Sequence, residues 1–268
     1  MAGVELRPIT CHFEEDFRLP SIDDFARSIG PRTRGILLCN PNNPTGCLYE
    51  EPSLRALAAL ARQHDLYLIV DEVYREFIFG DRPFFSALRL DEIREQVVVV
   101  DSVSKRYSAC GARIGALITY NAALLDAADR YAKLRLSPPT YGQLLAEAAL
   151  DTPPAYFAAV KAEYDRRRQL VYHRLQQMPG VSSYLPGGAF YCFARLPIDS
   201  ADHFCRWLLT DFSHQGATVM LAPGEGFYAT PGLGRQEVRI AYVLNERDLS
   251  AAMDCLAEAL RVYPGVGG

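Results

Sequence analysis

The amino-acid sequence predicts an α/β fold: a mainly parallel sheet with helices packed on it, followed by a smaller α+β domain. Three observations predict it. Short apolar runs recur in the first half, GILLC (35–39), LYLIV (66–70) and VVVV (97–100). They are apolar on both alternating faces, as buried parallel strands are. Segments of helical spacing separate them, which parallel neighbours require. Beyond residue 155 the texture changes to strands and helices set off by Pro and Gly turns.

Taken in order, VELRPIT (4–10) reads as a strand, and GILLC as the next, ending in the turn-rich NPNNPTG (40–46). EPSLRALAALARQH (51–64) puts Leu54, Leu57, Ala58 and Ala61 on one helical face, and Pro52 suits a first helical turn. LYLIVDEVY, VVVVDSVS and RIGALIT read as three further strands, with at least two intervening segments long enough for crossover helices. Helices are predicted over 122–136 and 141–150. Pro153-Pro154 breaks the pattern, and a long helix over 155–177 ends at Pro179-Gly180. VSSYLPGGAFYCFARLP, TVMLAPGEGFY and EVRIAYV read as strands, with helices over 202–215 and 246–262; Trp207 falls on the first of these as a core residue. The division into domains is expected at 1–158 and 159–268, within the long helix.

Composition excludes several function classes. A chain that is 49% hydrophobic and 22% charged reads as soluble and globular. The net charge of −4 and the lack of any like-charge block argue against nucleic acid, and DRRR (165–168) reads as a solvated helix face. Seven cysteines, an odd number without CxxC or Cys/His spacing, read as free thiols in a reducing compartment. The histidines form no paired-ligand pattern, so no metal site is expected. There is no basic start followed by an apolar run, and no apolar segment of membrane-span length. The expected location is cytoplasmic, with no membrane partner.

Open α/β sheets place ligands at the carboxyl ends of their strands, and three strand ends here carry unusual residues. GILLC runs into Asn40–Gly46, LYLIV into Asp71, Glu72 and Tyr74, and VVVV into Asp101, Ser102, Ser104 and Lys105. Their chemistry fits one purpose. A lysine amine forms a Schiff base with an aldehyde cofactor. Pyridoxal 5'-phosphate withdraws electrons when its ring nitrogen stays protonated, which a buried aspartate such as Asp71 ensures. Tyr74 and Asn43 offer a phenol and an amide to the ring hydroxyl. Ser102, Ser104 and Arg113 offer donors and charge to the phosphate. Each feature alone has an ordinary reading: a solvated loop lysine, a helix-capping aspartate, a turn, a surface ion pair. It is their order along one chain that argues for a site.

NPNNPTG, DEVYREFIF, SVSKRYSACGARIG and RIAY together resemble the signature series of fold-type I pyridoxal-phosphate enzymes, and more narrowly the class I/II aminotransferases. GGAFYCFARLP is similar to that family's small-domain strand. The resemblance implies an aminotransferase-like three-layer large domain, N-terminally incomplete, plus a smaller α+β C-terminal domain. It implies transfer of an amino group between an amino acid and a 2-oxo acid, and a homodimer in the full-length form. Residue by residue, it implies Lys105 as the Schiff-base lysine and proton carrier and Asp71 as the pyridinium partner. Tyr74 and Asn43 then bond the ring hydroxyl, and Ser102, Arg113 and Ser104 the phosphate. Arg239 becomes the clamp on the substrate carboxylate, with Asn43 beside it, and Asn43-Pro44 is a candidate cis peptide. The family's Gly/Ser-rich phosphate turn and its ring-stacking aromatic have no counterpart before Asn40. The alternative is therefore a catalytically incompetent fragment, or an effector-binding module with the same fold.

Overall fold

A computed structural model of the chain describes residues 3–265; Met1 and Ala2, with which the first expected domain opens, and residues 266–268, with which the second closes, lie outside them. The chain divides into two compact units. Among the described residues, the first comprises 3–42 and 47–159; the second comprises 43–46 and 160–265.

In the first unit, β1 (Gly35–Cys39), β2 (Tyr67–Asp71), β3 (Val97–Ser102) and β4 (Gly115–Thr119) form one sheet in that order. Before it stands α1 (Ile22–Ser28), closed by a capping box between Ser21 and Asp24. The pairs β1–β2 and β2–β3 are parallel, and Leu38 lies beside Val70, Val70 beside Val99. α2 (Glu51–Gln63) is the crossover between β1 and β2, and its predicted stripe, Leu54, Leu57, Ala58 and Ala61, is fully buried. It packs into one core with Leu38, Leu68, Val70, Val97 and Val99.

Four expectations need correcting. VELRPIT is not a strand: Val4 and Leu6 are exposed and the segment joins no sheet among the described residues. β4 runs antiparallel to β3, because the link between them is one helical turn and a short irregular segment, too brief to carry the chain back along the sheet. The β2–β3 connection contains no α-helix. Gly80 and Pro83 interrupt it, and it buries Phe77, Phe79 and Phe85 from irregular backbone and two 3-10 turns. Nor is the sheet buried on both faces. The face opposite α2 leaves Leu37 67% and Leu117 43% exposed. After β4 come α4 (Ala122–Arg135) and α5 (Thr140–Ala149), in which Gly142 is the only buried residue.

α6 (Pro154–Gln176) begins in the first unit and continues into the second. There β5 (Ser182–Ser183), β6 (Tyr191–Arg195), β7 (Ala222–Pro223) and β8 (Glu237–Ala241) form an antiparallel sheet in the order β5-β6-β8-β7. The expected strand at TVMLAPGEGFY shrinks to Ala222–Pro223, which Gly224 ends at the start of a 3-10 turn. α7 (Ala201–Thr210) is shorter than predicted, and α8 (Glu246–Val262) has the predicted bounds. Both bury apolar stripes, Ala201, Phe204, Cys205 and Leu208 on α7 and Leu249, Met253, Leu256 and Ala259 on α8. Trp207 packs in an aromatic cluster with Phe204, Phe212 and Tyr263.

Candidate functional site

β3 runs directly into a single helical turn, α3 (Val103–Arg106), which carries Lys105 half-buried. Ser102 makes the transition. It is the helix N-cap, its Oγ accepting from the Ser104 backbone N–H at 3.1 Å. The same Oγ lies 2.9 Å from the Ile114 carbonyl and 2.8 Å from Ser104 Oγ. The two predicted serines are thus brought together. Arg113 is not brought onto them. It is exposed, its backbone is left-handed with φ 55°, and its Nη1 donates to the Cys110 carbonyl at 2.9 Å. Of the chain's three lysines, Lys105, Lys133 and Lys161, only Lys105 stands at a strand end; the others lie on α4 and α6.

Asp71 is the last residue of β2 and lies beside Val100 of β3, one residue from Asp101. Its Oδ1 accepts the Val73 backbone N–H at 3.1 Å. Burial holds its carboxyl above the ordinary range, the Val73 N–H works against that, and the nearby Asp101 charge adds to it. No cation pairs with Asp71 among the described residues. Glu72, next in the chain, is buried and accepts Ser86 Oγ at 2.8 Å and the Ala87 N–H at 2.7 Å. Burial raises its carboxyl as well, with those two donors opposing. Tyr74 is buried in the turn after β2.

Asn43 and Arg239 both belong to the second unit. Arg239 stands on β8 between Phe193 of β6 and Ala222 of β7. Its Nη1 donates to Asn43 Oδ1 at 2.9 Å. The guanidinium lies 4.6 Å from the Tyr191 ring centroid and 5.0 Å from that of Phe227. Its Nε is buried without a hydrogen-bond partner. A guanidinium held by two rings and one neutral amide, with no carboxylate paired to it among the described residues, is set up to receive a planar anion. Asn43-Pro44 is cis, as is Asn40-Pro41. Asn40 is buried and bonds the Tyr49 backbone in both directions, at 3.0 and 2.9 Å.

Sequence reasoning missed Tyr191 and Phe227. The available signal was an aromatic in each segment bordering the Arg239 strand, GGAFYCFARLP and GEGFY. It singled out Asp101 but missed Arg106, with which Asp101 forms an ion pair beside Lys105. Among the described residues, no group of three or more His, Cys, Asp or Glu is placed to hold a metal ion, and no helix is long and apolar enough to cross a membrane.

Comparison with known proteins adds the family context. The family model "Aminotransferase class I and II" matches residues 1–256. An aspartate aminotransferase of Pyrococcus abyssi is 31% identical over 97% of this chain and 66% of its own length. An aromatic-amino-acid aminotransferase of Thermococcus litoralis is 30% identical with the same coverage. Among solved structures, an alanine aminotransferase from Pyrococcus furiosus superposes with a TM-score of 0.82 at 31% identity, over 94% of this chain and 63% of that one. The chain therefore spans just under two thirds of the length of the curated relatives it matches.

Proposed function

Because the chain belongs to the class I and II aminotransferases, a family dependent on pyridoxal 5'-phosphate, we propose that it serves the transfer of an amino group between an amino acid and a 2-oxo acid. Lys105 is the residue that joins the cofactor. One observation carries this reading beyond family membership: Asp71, a half-buried carboxylate with no cation beside it among the described residues, ends the strand next to the one that leads into Lys105.

The donor set fits the cofactor. Asp71 lacks the positive partner that a protonated pyridine nitrogen provides, and such a partner would draw its raised carboxyl back down. Ser102, Ser104 and the exposed Arg113 provide hydroxyls and a guanidinium suited to a phosphate. Tyr74 provides a phenol. When bound, the cofactor supplies an electron sink for the pair released as the substrate Cα–H bond breaks. Lys105 Nζ takes and returns that proton, which requires its neutral amine. Arg239 binds the substrate α-carboxylate through its fork, and Asn43 and the two rings hold the fork in plane.

The proposal extends to a cytoplasmic homodimer. The lack of any disulfide among the described residues supports a reducing compartment. The exposed Tyr131, Leu134, Tyr141 and Leu144 of α4 and α5 support a covering partner. The test is borohydride trapping of added pyridoxal 5'-phosphate followed by peptide mapping. Label concentrated on the Lys105 peptide supports the reading. Label spread evenly over Lys105, Lys133 and Lys161 sinks it.

A further inference from the structure

The turn that carries Lys105 is too short to hold its own direction. α3 has four residues, and a single helical turn is unstable without outside support, because fixing its backbone costs more than its few hydrogen bonds return. Its start is tied down by Ser102 and by the Val103 N–H, which donates to the Ile114 carbonyl at 3.3 Å. Its end is tied by a side chain. Arg106 Nη2 donates to Asp101 Oδ2 near the end of β3. Arg106 Nε lies 3.3 Å from Glu76 Oε1 in the turn after β2, an ion pair without hydrogen-bond alignment. Asp101 is itself oriented, its Oδ1 accepting the Ser102 N–H at 2.7 Å. Arg75 Nε, 3.9 Å from the same Glu76 oxygen, gives two guanidinium groups for two carboxylates.

This bridge differs from the surface ion pairs of the chain. The Arg106 and Asp101 side chains are 21% and 11% exposed, against 70% and 71% for Arg130 and Asp126 on α4. Water screens the former pair far less, so it constrains geometry where the latter does little. Its three members also have telling neighbours. Glu76 follows Tyr74 by two residues, Asp101 precedes Ser102, and Arg106 follows Lys105.

We propose that the Asp101–Arg106–Glu76 bridge is a positioning device: it fixes the direction of the α3 turn against the ends of β2 and β3, and with it the reach of Lys105. Arg106 is a positioning residue that acts through the turn and touches no reacting atom. An arginine suits the task because its planar fork addresses two carboxylates at once, which an ammonium does not do with the same directionality. The inference rests on the reading of Lys105 as the cofactor-joining residue.

The experiment is borohydride trapping of pyridoxal 5'-phosphate on the whole chain, scored as the ratio of Lys105 to Lys133 label in the same molecules. Arg106→Ala is expected to lower that ratio on the order of tenfold while cooperative unfolding is retained, because small misplacements of a reacting group are costly. Arg106→Lys should restore part of it. A loss of stability alone would lower both labels together, so an unchanged ratio in Arg106→Ala overturns the proposal. Should Arg106→Ala fail to fold, Glu76→Gln, which spares the Asp101 contact, is used instead; a lower ratio supports the bridge and an unchanged one overturns it. If the wild-type chain shows no preference for Lys105, it is the reading of the cofactor site that fails. The bridge is then judged by amide hydrogen exchange over residues 103–107 without cofactor. Exchange on the order of tenfold faster in Arg106→Ala supports it, and unchanged exchange overturns it.

Discussion

The two four-stranded sheets differ in their strands and in how they are covered: the first is built from near-continuous apolar runs, whereas the second includes Ser182–Ser183 and a strand carrying Glu237 and Arg239. In the second unit, four of the five residues of β6 are buried, Phe193 and Ala194 completely. In the first, the register turns Leu38, Leu68, Val70, Val97 and Val99 toward α2 and leaves Leu37, Val100 and Leu117 exposed. The difference bears on how each unit holds its functional residue. Arg239 is oriented by packing, with strands on both sides and two rings against its guanidinium. Lys105 sits at the end of a half-covered sheet, where a cap and an ion-pair bridge replace packing.

The largest expected effect tests the reactive end of the first sheet. Lys105→Ala should remove covalent capture of the cofactor and leave only the background labelling of Lys133 and Lys161, read by peptide mapping; undiminished capture would move the chemistry elsewhere. The next compares the sheets as cores. Phe193→Ala should destabilise by roughly 3–5 kcal/mol through transfer and cavity costs. Leu117→Ala, on the exposed face, should stay within about 1 kcal/mol. Urea unfolding of both variants checks this, and equal costs would mean that the open face is covered in solution.

A smaller effect is expected at the arginine. Arg239→Lys keeps the charge and loses the fork and the ring contacts, so the apparent KM for an amino acid should rise by about tenfold, with kcat less affected. Steady-state kinetics decide it, and an unchanged KM would assign the carboxylate to another residue. The smallest is a stability change of opposite sign. The Asp71 carboxyl is held above its ordinary 3.8 by burial. The folded chain therefore retains this proton more tightly than the unfolded chain, and stability falls as pH rises from 3.8 through the raised value. Asp71→Asn should remove that dependence and stabilise the cofactor-free chain at neutral pH by roughly 0.5 kcal/mol, a small figure because solvent screens a half-exposed group. It should also weaken cofactor capture. Thermal melts across pH without cofactor check the first part, and a destabilised variant would contradict it.

Much of the site was legible because its signals are local. Ser102, Ser104 and Lys105 lie within four residues, and their adjacency survives whatever the rest of the chain does. The pairing of Asp101 with Arg106 was equally local but had no distinguishing mark, since an aspartate and an arginine five residues apart are commonplace on a surface. Arg113 is less local. Its place in the sequence pattern points to the serines, whereas a left-handed backbone at that residue turns its guanidinium to the Cys110 carbonyl.

By itself the sequence determined the elements whose cause is periodicity or side-chain chemistry: the buried stripe of α2, the bounds of α8, the strand that runs into Lys105, and the arginine on β8. Those follow from residues a few positions apart. Only the tertiary structure decided that β4 turns back antiparallel, that one of two apolar sheet faces is covered, that residues 72–96 cross without an α-helix, and that Tyr191 and Phe227 flank Arg239. Each of these depends on pairing and packing between segments far apart in the chain. No local pattern encodes which of two equally apolar surfaces finds a partner.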